Sequence, residues 1–314
     1  VIPTGTALEP PEIDPPSRRL GDLLAGLAVG VGAAALLFGG LRVGTGAGLA
    51  AGIVPVVAAL AGGLAAIAGL TPGLLLLPVC IALAQLGLLR IGAGDLAATV
   101  YVATLPAVAG ALAARVLACR VARCAALNRS RLALVAAVAA TAVPLALAAA
   151  ATLDWPDRGL TALHAIVGLV LATFVGVLAT AADGAGTLRL LRLERFDWRM
   201  SVLLGIVGGY AIGHVPFGPA ELVLVYLVMR GFPAGPSATV ALLAGLVPAL
   251  AALPLVFIRH FIDFQLALAI VPAAFSGSVA AGWWMRGTSP LLGAKVLALL
   301  AVAANLCIII LALR

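Results

Sequence analysis

Apolar runs follow one another along almost the whole chain, broken only by glycine, proline and charge. They fall at about 20–41, 47–69, 73–89, 96–118, 131–152, 160–182, 199–215, 219–231, 237–258, 264–284 and 291–313. A helix needs about 20 residues, at about 1.5 Å each, to cross a bilayer core of about 30 Å. Most of the runs reach that length. The run 219–231 covers only about 20 Å, and 73–89 is marginal. In lipid every backbone N–H and C=O must be satisfied within the segment, so repeated apolar runs of this size predict helices, hence an all-α polytopic membrane protein. The charged fraction agrees: 10% of residues, against about 25% in soluble domains. With so little polar surface, a soluble enzyme, a nucleic-acid-binding domain and a disordered chain are all excluded.

The net charge of +7 is read as topology, not as affinity for nucleic acid, because the basic residues cluster in short loops where they orient helices. One loop near 115–131 carries Arg115, Arg120, Arg123, Arg129 and Arg131; another near 183–199 carries Arg189, Arg192, Arg195 and Arg199. Placing both in the cytoplasm puts Arg18, Arg19, Arg230, Arg286 and Lys295 there too, and leaves Arg42, Arg90, Arg158, Arg259 and Arg314 outside. This bias predicts a multi-pass protein of the bacterial inner (plasma) membrane with its N-terminus cytoplasmic and its C-terminus external. Residues 1–19 are polar and Pro-rich, a disordered cytoplasmic tail without a cleavable signal pattern. Cys80, Cys119, Cys124 and Cys307 are scattered; a metal site needs three or four convergent ligands, so no metal and no cofactor are expected.

Two halves of the chain match at four landmarks in order. Gly69-Leu70-Thr71-Pro72-Gly73 faces Pro216-Phe217-Gly218-Pro219-Ala220. Ala98-Thr99-Val100, then Pro106, faces Ala238-Thr239-Val240, then Pro248; Leu132-Ala133-Leu134 faces Leu266-Ala267-Leu268; Pro156 faces Pro290. Each half then holds five segments. Two copies of an odd unit must lie in opposite orientations, and the arginine pattern asks for the same inversion. The expected organisation is a tail over 1–19, an extra N-terminal transmembrane helix over 20–46, a first repeat over 47–182, an Arg-rich cytoplasmic linker over 183–198 and a second repeat over 199–314. Inverted repeats with short or re-entrant helices place a ligand near the midplane.

Both glycine–proline loops have one physical design. Pro72 and Pro219 suit the first helical position, where a missing N–H costs nothing. Gly69, Gly73 and Gly218 let backbone approach a ligand closely, and Ala220 beside them is small. Unpaired N–H groups at a helix start, aided by the helix dipole, attract an anion. Two such starts brought together would cage a small oxyanion. Thr71, Thr99, Ser237 and Thr239 are hydroxyls at equivalent places that can donate to it or bond back to their own helices. His214, before Gly218, can titrate near neutral pH; His164 stands alone on an apolar helix and reads as a packing residue, and His260 as a solvated one. Glu221 is the one acid of the twelve that lies inside an apolar run. An ionisable group at that depth costs about 2.5–3.5 kcal/mol on insertion scales. It reads either as the cap of its own helix or as a proton-coupling carboxylate. No nucleophile elbow, HExxH or phosphate loop is present, so no enzyme is expected and transport is driven by gradients.

The stretch Phe196-Asp197-Trp198-Arg199, then Gly208-Gly209, Gly213, Gly218-Pro219-Ala220-Glu221, Arg230-Gly231-Phe232-Pro233 and Ala238-Thr239 resembles the TauE/SafE sulfite exporter family. So do Phe261-Ile262-Asp263-Phe264 and, in the first half, Gly69 to Pro78. The likeness covers about 50–314. It implies a permease for a small sulfur-containing anion, sulfite or an organosulfonate, built as two inverted halves. The expected partners are that inorganic or organic anion and the lipid bilayer, with no nucleic acid; a homo-oligomer is left open. Gly218-Pro219-Ala220-Glu221 with Arg230-Gly231-Phe232-Pro233 also resembles the flippase-like domain related to lysylphosphatidylglycerol synthases. That alternative would make the chain a lipid-handling protein, and a non-transporting membrane subunit is a third reading.

Overall fold

The computed structural model describes residues 48–122, 129–152, 157–184, 194–284 and 290–313. Among them the ordered elements are all helices: α1 (Gly48–Ala68), α2 (Gly73–Gln85), α3 (Ala93–Ala122), α4 (Arg129–Thr152), α5 (Asp157–Gly184), α6 (Arg195–Ile212), α7 (Pro219–Met229), α8 (Ala234–Arg259), α9 (Phe264–Trp284) and α10 (Pro290–Ala312). The expected tail over 1–19, the extra helix over 20–46 and most of the 183–198 linker lie outside the described residues. Among the described residues, six helices are long and apolar enough to cross a membrane: α3, α4 and α5, then α8, α9 and α10. α2 and α7, with 13 and 11 residues, reach only about 20 and 17 Å.

Local sequence explains where the short helices begin and end. Pro219 opens α7 at its first position and Pro72 immediately precedes α2. At their far ends, Gly87 (φ 73°) and Gly231 (φ 81°) take the left-handed conformation. Leu88 N–H then donates to Leu83 C=O at 2.9 Å, and Phe232 N–H to Leu227 C=O at 3.0 Å. Both closures are Schellman motifs, which glycine makes without a Cβ penalty.

Small residues set the packing. Gly205 and Gly209 on α6, and Gly213 just past its end, recur every four residues and lie on Val138, Thr141, Ala142, Ala146 and Ala149 of α4. A Cβ on Gly209 would stand 2.5 Å from the Ala142 backbone. On α1, Gly62 lies against Ala274 of α9 and Gly63 against Gly277. In lipid, where burial of apolar surface gives helices no reason to associate, such close backbone approach supplies the contact energy. The outward faces carry large side chains instead: Ile166, Val170, Phe174 and Val177 on α5, and Leu203, Val207 and Tyr210 on α6 are exposed.

Contacts at the helix ends give directions. α3 starts where Asp95 Oδ1 accepts from Phe261 N–H (3.0 Å) and finishes where Arg115 donates to Gly235 C=O (3.3 Å). Since Gly235 opens α8 and Phe261 follows it, α3 and α8 are antiparallel. α5 and α10 are antiparallel too, with Gly168 on Asn305 and Gly176 on Ala298. α4 and α6 run parallel, as do α1 and α9.

Candidate functional site

The two loop–helix starts meet. Thr71 N–H, immediately before Pro72, donates to Glu221 Oε1 at 2.8 Å. The Thr71 hydroxyl donates to the same oxygen and also lies 3.2 Å from Pro216 C=O. Gly218 N–H donates to Glu221 Oε2 at 2.8 Å. Glu221 therefore caps its own helix, as one expectation had it, and at the same time bridges to the start of α2. Gly73 sits so close to Pro216 C=O that a Cβ has no room, and Gly69 (φ 78°) is equally tight against Ala238. Pro219 packs on Gly208, where a Cβ would meet Pro219 at 2.7 Å, and Ala220 packs on Gly245 of α8. Glu221 is fully buried and Thr71 nearly so. The donors that a bound oxyanion would need are held by Glu221 itself: two backbone N–H groups at helix starts and one hydroxyl surround its carboxylate.

Depth follows from the neighbours. α7 begins beside Gly208, and the adjacent Gly209 lies on Ala142, near the middle of α4. The far end of α7 is fastened to the start of α6. Asp197 is fully buried; its Oδ1 accepts from Arg230 Nε at 2.9 Å and from the Tyr226 hydroxyl, and its Oδ2 accepts from Glu194 N–H at 2.6 Å. Arg230 also reaches Glu194 at 3.1 Å. The Asp197 carboxylate pushes the Arg230 guanidinium above its ordinary range, so this end of the clasp stays charged. Asp197, quoted above for its motif, thus closes a helical hairpin.

The other expected residues separate into groups. Gly69 brings Ala238 to the tips, with Ser237 and Thr239 on either side in the first turns of α8. Both are buried, and the Thr239 hydroxyl faces Gly235 C=O of its own helix at 3.4 Å. Thr99 lies at the opposite end of the bundle from these two: its hydroxyl donates to Asp95 C=O (2.8 Å) and accepts from Asp263 N–H (3.0 Å). It fastens the turn between α8 and α9 to α3. Asp263 in turn caps α9 through Leu266 N–H at 2.9 Å. His214 is half-buried in the 213–218 turn, its ring edge-on to Tyr210 at 5.0 Å.

Two residues take places that their sequence context did not suggest. Arg115, expected in a surface loop, is inside α3 and 7% exposed. It donates to Ala66 C=O at 2.7 Å and Ile67 C=O at 2.8 Å, so a cation sits on the carbonyl end of α1 where the dipole favours it. A lone Arg at the end of an apolar run was the available signal. His164, expected to be a satisfied packing residue, is 2% exposed with both ring nitrogens unpartnered.

A groove of about 920 Å³ opens between α2, α3, α5 and α10, lined by Ile81, Ile91, Leu96, Ile166 and Ile308 among others. Among the described residues no group of three or more His, Cys, Asp or Glu is placed to hold a metal ion. Compared with protein-family models, curated proteins and solved structures, the chain matches none.

Proposed function

We propose that the chain is a secondary transporter, a permease for a small oxyanion, in which the Glu221 carboxylate and the transported anion compete for one set of donors. The observation that carries this reading is the single carboxylate held between two helix starts, Thr71 N–H on one side and Gly218 N–H on the other. An oxyanion fits the same donors for the same reason. Two anions cannot share them at low dielectric. A protonated carboxyl has given up acceptor capacity and gained an O–H donor, so Glu221 releases the tips when it takes a proton. Proton and anion binding are thereby linked. That the anion contains sulfur, as sulfite or an organosulfonate, rests on the family resemblance.

An inverted-repeat frame is part of the proposal. The two sets of five helices follow the same order, with a short helix second in each and a glycine-closed C-terminus on both short helices. Corresponding helices run oppositely where contacts give their sense: α3 against α8, and α5 against α10. Orientation in the bacterial plasma membrane follows the basic residues. Arg115, Arg131, Arg195, Arg199, Arg230 and Lys295 fall at one end of the bundle, with Arg90 and Arg259 at the other. The first end is assigned to the cytoplasm, which leaves the C-terminus outside.

The aliphatic groove between α2, α3, α5 and α10 suits hydrocarbon better than an oxyanion, and it favours the lipid-handling alternative. Counterflow of labelled sulfite into proteoliposomes, run beside a fluorescent-lipid scrambling assay, separates the two. The permease reading expects sulfite exchange that slows when unlabelled sulfite competes and that loses its pH dependence in Glu221→Gln. Lipid movement without sulfite exchange would overturn it.

A further inference from the structure

The groove of about 920 Å³ lies at one end of the bundle, where α2 ends, α3 and α5 begin and α10 ends. Ile81, Leu96, Ile166 and Ile308 make its walls, and space is left between them because alanines such as Ala84, Ala162 and Ala165 face it. From Thr161 to Ile166 it extends about 8 Å along α5, about half the hydrocarbon depth of one leaflet. Thr71, Gly218 and Glu221 do not line it. Its lip is polar. The linker 86–92 between α2 and α3 supplies Ile91 and Gly92 to the lining, and Arg90 stands immediately before them. Arg90 is exposed and, among the described residues, makes no hydrogen bond or ion pair. Gln85, the last residue of α2, lines the groove and is likewise exposed and unpartnered among the described residues. Asp95, the acid nearest to Arg90 in sequence, is engaged elsewhere, its Oδ1 accepting from Phe261 N–H at 3.0 Å. Arg90 also stands at the end of the bundle opposite to most of the basic residues, so the bias that orients helices does not call for a cation here.

We propose that this groove seats an anionic glycerophospholipid of the surrounding leaflet, with an acyl chain on the aliphatic walls and the phosphate on Arg90. The inference goes beyond the permease reading and does not rest on it. Charge complementarity chooses the occupant. The walls carry no charge and suit hydrocarbon, whereas the lip offers a cation without a counter-ion, and a guanidinium pairs with phosphate through two parallel N–H···O bonds. The Gln85 amide has two N–H donors, which suit the ester carbonyls that lie between phosphate and acyl chain. The order of these groups along the groove, cation at the lip and isoleucines within, is the order of phosphate and hydrocarbon in a lipid standing in its leaflet. A small oxyanion would use Arg90 and leave the walls unfilled; a neutral hydrocarbon would fill the walls and leave Arg90 unpaired.

Photo-crosslinking reads the seat without any transport. The full chain is placed in nanodiscs of phosphatidylcholine with a minor share of phosphatidylglycerol that carries a diazirine in its acyl chain, and labelled residues are mapped by mass spectrometry after irradiation. Adducts are expected to concentrate on the groove, at Ile81 and Ile166, over the exposed Phe174 of α5 and Val207 of α6. Unlabelled phosphatidylglycerol is expected to displace them better than added phosphatidylcholine. Arg90→Gln should lower that preference by about fivefold, the worth of one basic residue near an anionic lipid surface, and Arg90→Lys should keep most of it. Ala162→Trp, at an exposed position of the lining, should clear adducts from the groove and leave those at Phe174. Adducts spread evenly over the lipid-facing residues overturn the seat, as does an unchanged preference in Arg90→Gln or undiminished labelling in Ala162→Trp. A photo-reactive side chain at 166 that cross-links to residues 20–41 also overturns it, since a segment of the chain itself would then fill the groove. Each of these outcomes leaves the permease reading as it stands, because no step follows the movement of an anion.

Discussion

The Thr71–Glu221 contact joins two helix starts 150 residues apart in sequence, and a double-mutant cycle can weigh it. Thr71→Val keeps the side-chain shape and the backbone N–H bond at 2.8 Å but removes the hydroxyl that donates to Oε1. Glu221→Gln keeps one acceptor oxygen for Thr71 and turns an NH₂ group toward Gly218 N–H, where Oε2 accepted at 2.8 Å. A hydrogen bond to a charged group contributes about 1.5–3 kcal/mol and a neutral one about 0.5–1.5 kcal/mol. Thr71→Val should therefore cost about 2 kcal/mol in the native chain and about 1 kcal/mol once residue 221 is neutral. The predicted coupling is about 1 kcal/mol, with the double variant less destabilised than the sum of the singles. Equilibrium unfolding in mixed micelles with rising SDS, followed by tryptophan fluorescence, reads these differences. Thr71→Ser, which retains the hydroxyl, should stay near wild type. Additivity within about 0.3–0.5 kcal/mol would show that the hydroxyl and the carboxylate do not interact, and would remove the argument for a shared anion position.

Other parts of the fold give further expectations. Gly209→Val presses a branched side chain onto the Ala142 backbone; overpacking of that kind costs about 1–3 kcal/mol or more, and the same SDS titration should show it, whereas Gly235→Ala, with open space around its Cβ position, should be near neutral. Arg230→Met leaves buried Asp197 with only Tyr226 and the Glu194 N–H and should destabilise by about 3 kcal/mol, the lower end for a broken buried pair; limited proteolysis near 230–233 reports whether the hairpin opens. Gly231→Ala forces a Cβ into a φ of 81° and should cost about 1 kcal/mol, read as a lower unfolding midpoint. In a cysteine-free background, single cysteines at 194 and 260 should label from opposite sides of the membrane with an impermeant maleimide. Labelling from the same side would contradict the proposed orientation.

The positions of the ten described helices were legible because lipid enforces a strict rule. Every run of apolar residues between 47 and 313 became a helix, and even the deficits of 73–89 and 219–231 reappear as the short α2 and α7. The meeting of the two tips was legible in outline from proline and glycine spacing. Its occupant was not: nothing in the local sequence around Thr71 says that its N–H will face a carboxylate 150 residues away. Arg115 shows the same limit. Its charge pointed to a loop, yet the carbonyls of Ala66 and Ile67 give it a buried partner. His164 reads as a satisfied packing residue in sequence, and only the fold shows it buried with no hydrogen-bond partner for its ring nitrogens. Long-range pairing of polar groups decides these cases, and hydrophobic periodicity carries no record of it.

Leu74 and Glu221 each stand two residues after the proline at the start of their short helix, and both are wholly buried. The two short helices begin alike, but a carboxylate stands at the start of α7 only. Under the proposed inverted frame, exchanging the roles of the two arms would swap a carboxylate for an isobutyl group, so the two arrangements would differ in energy. On that proposal the molecule has a preferred resting posture, written by one side chain.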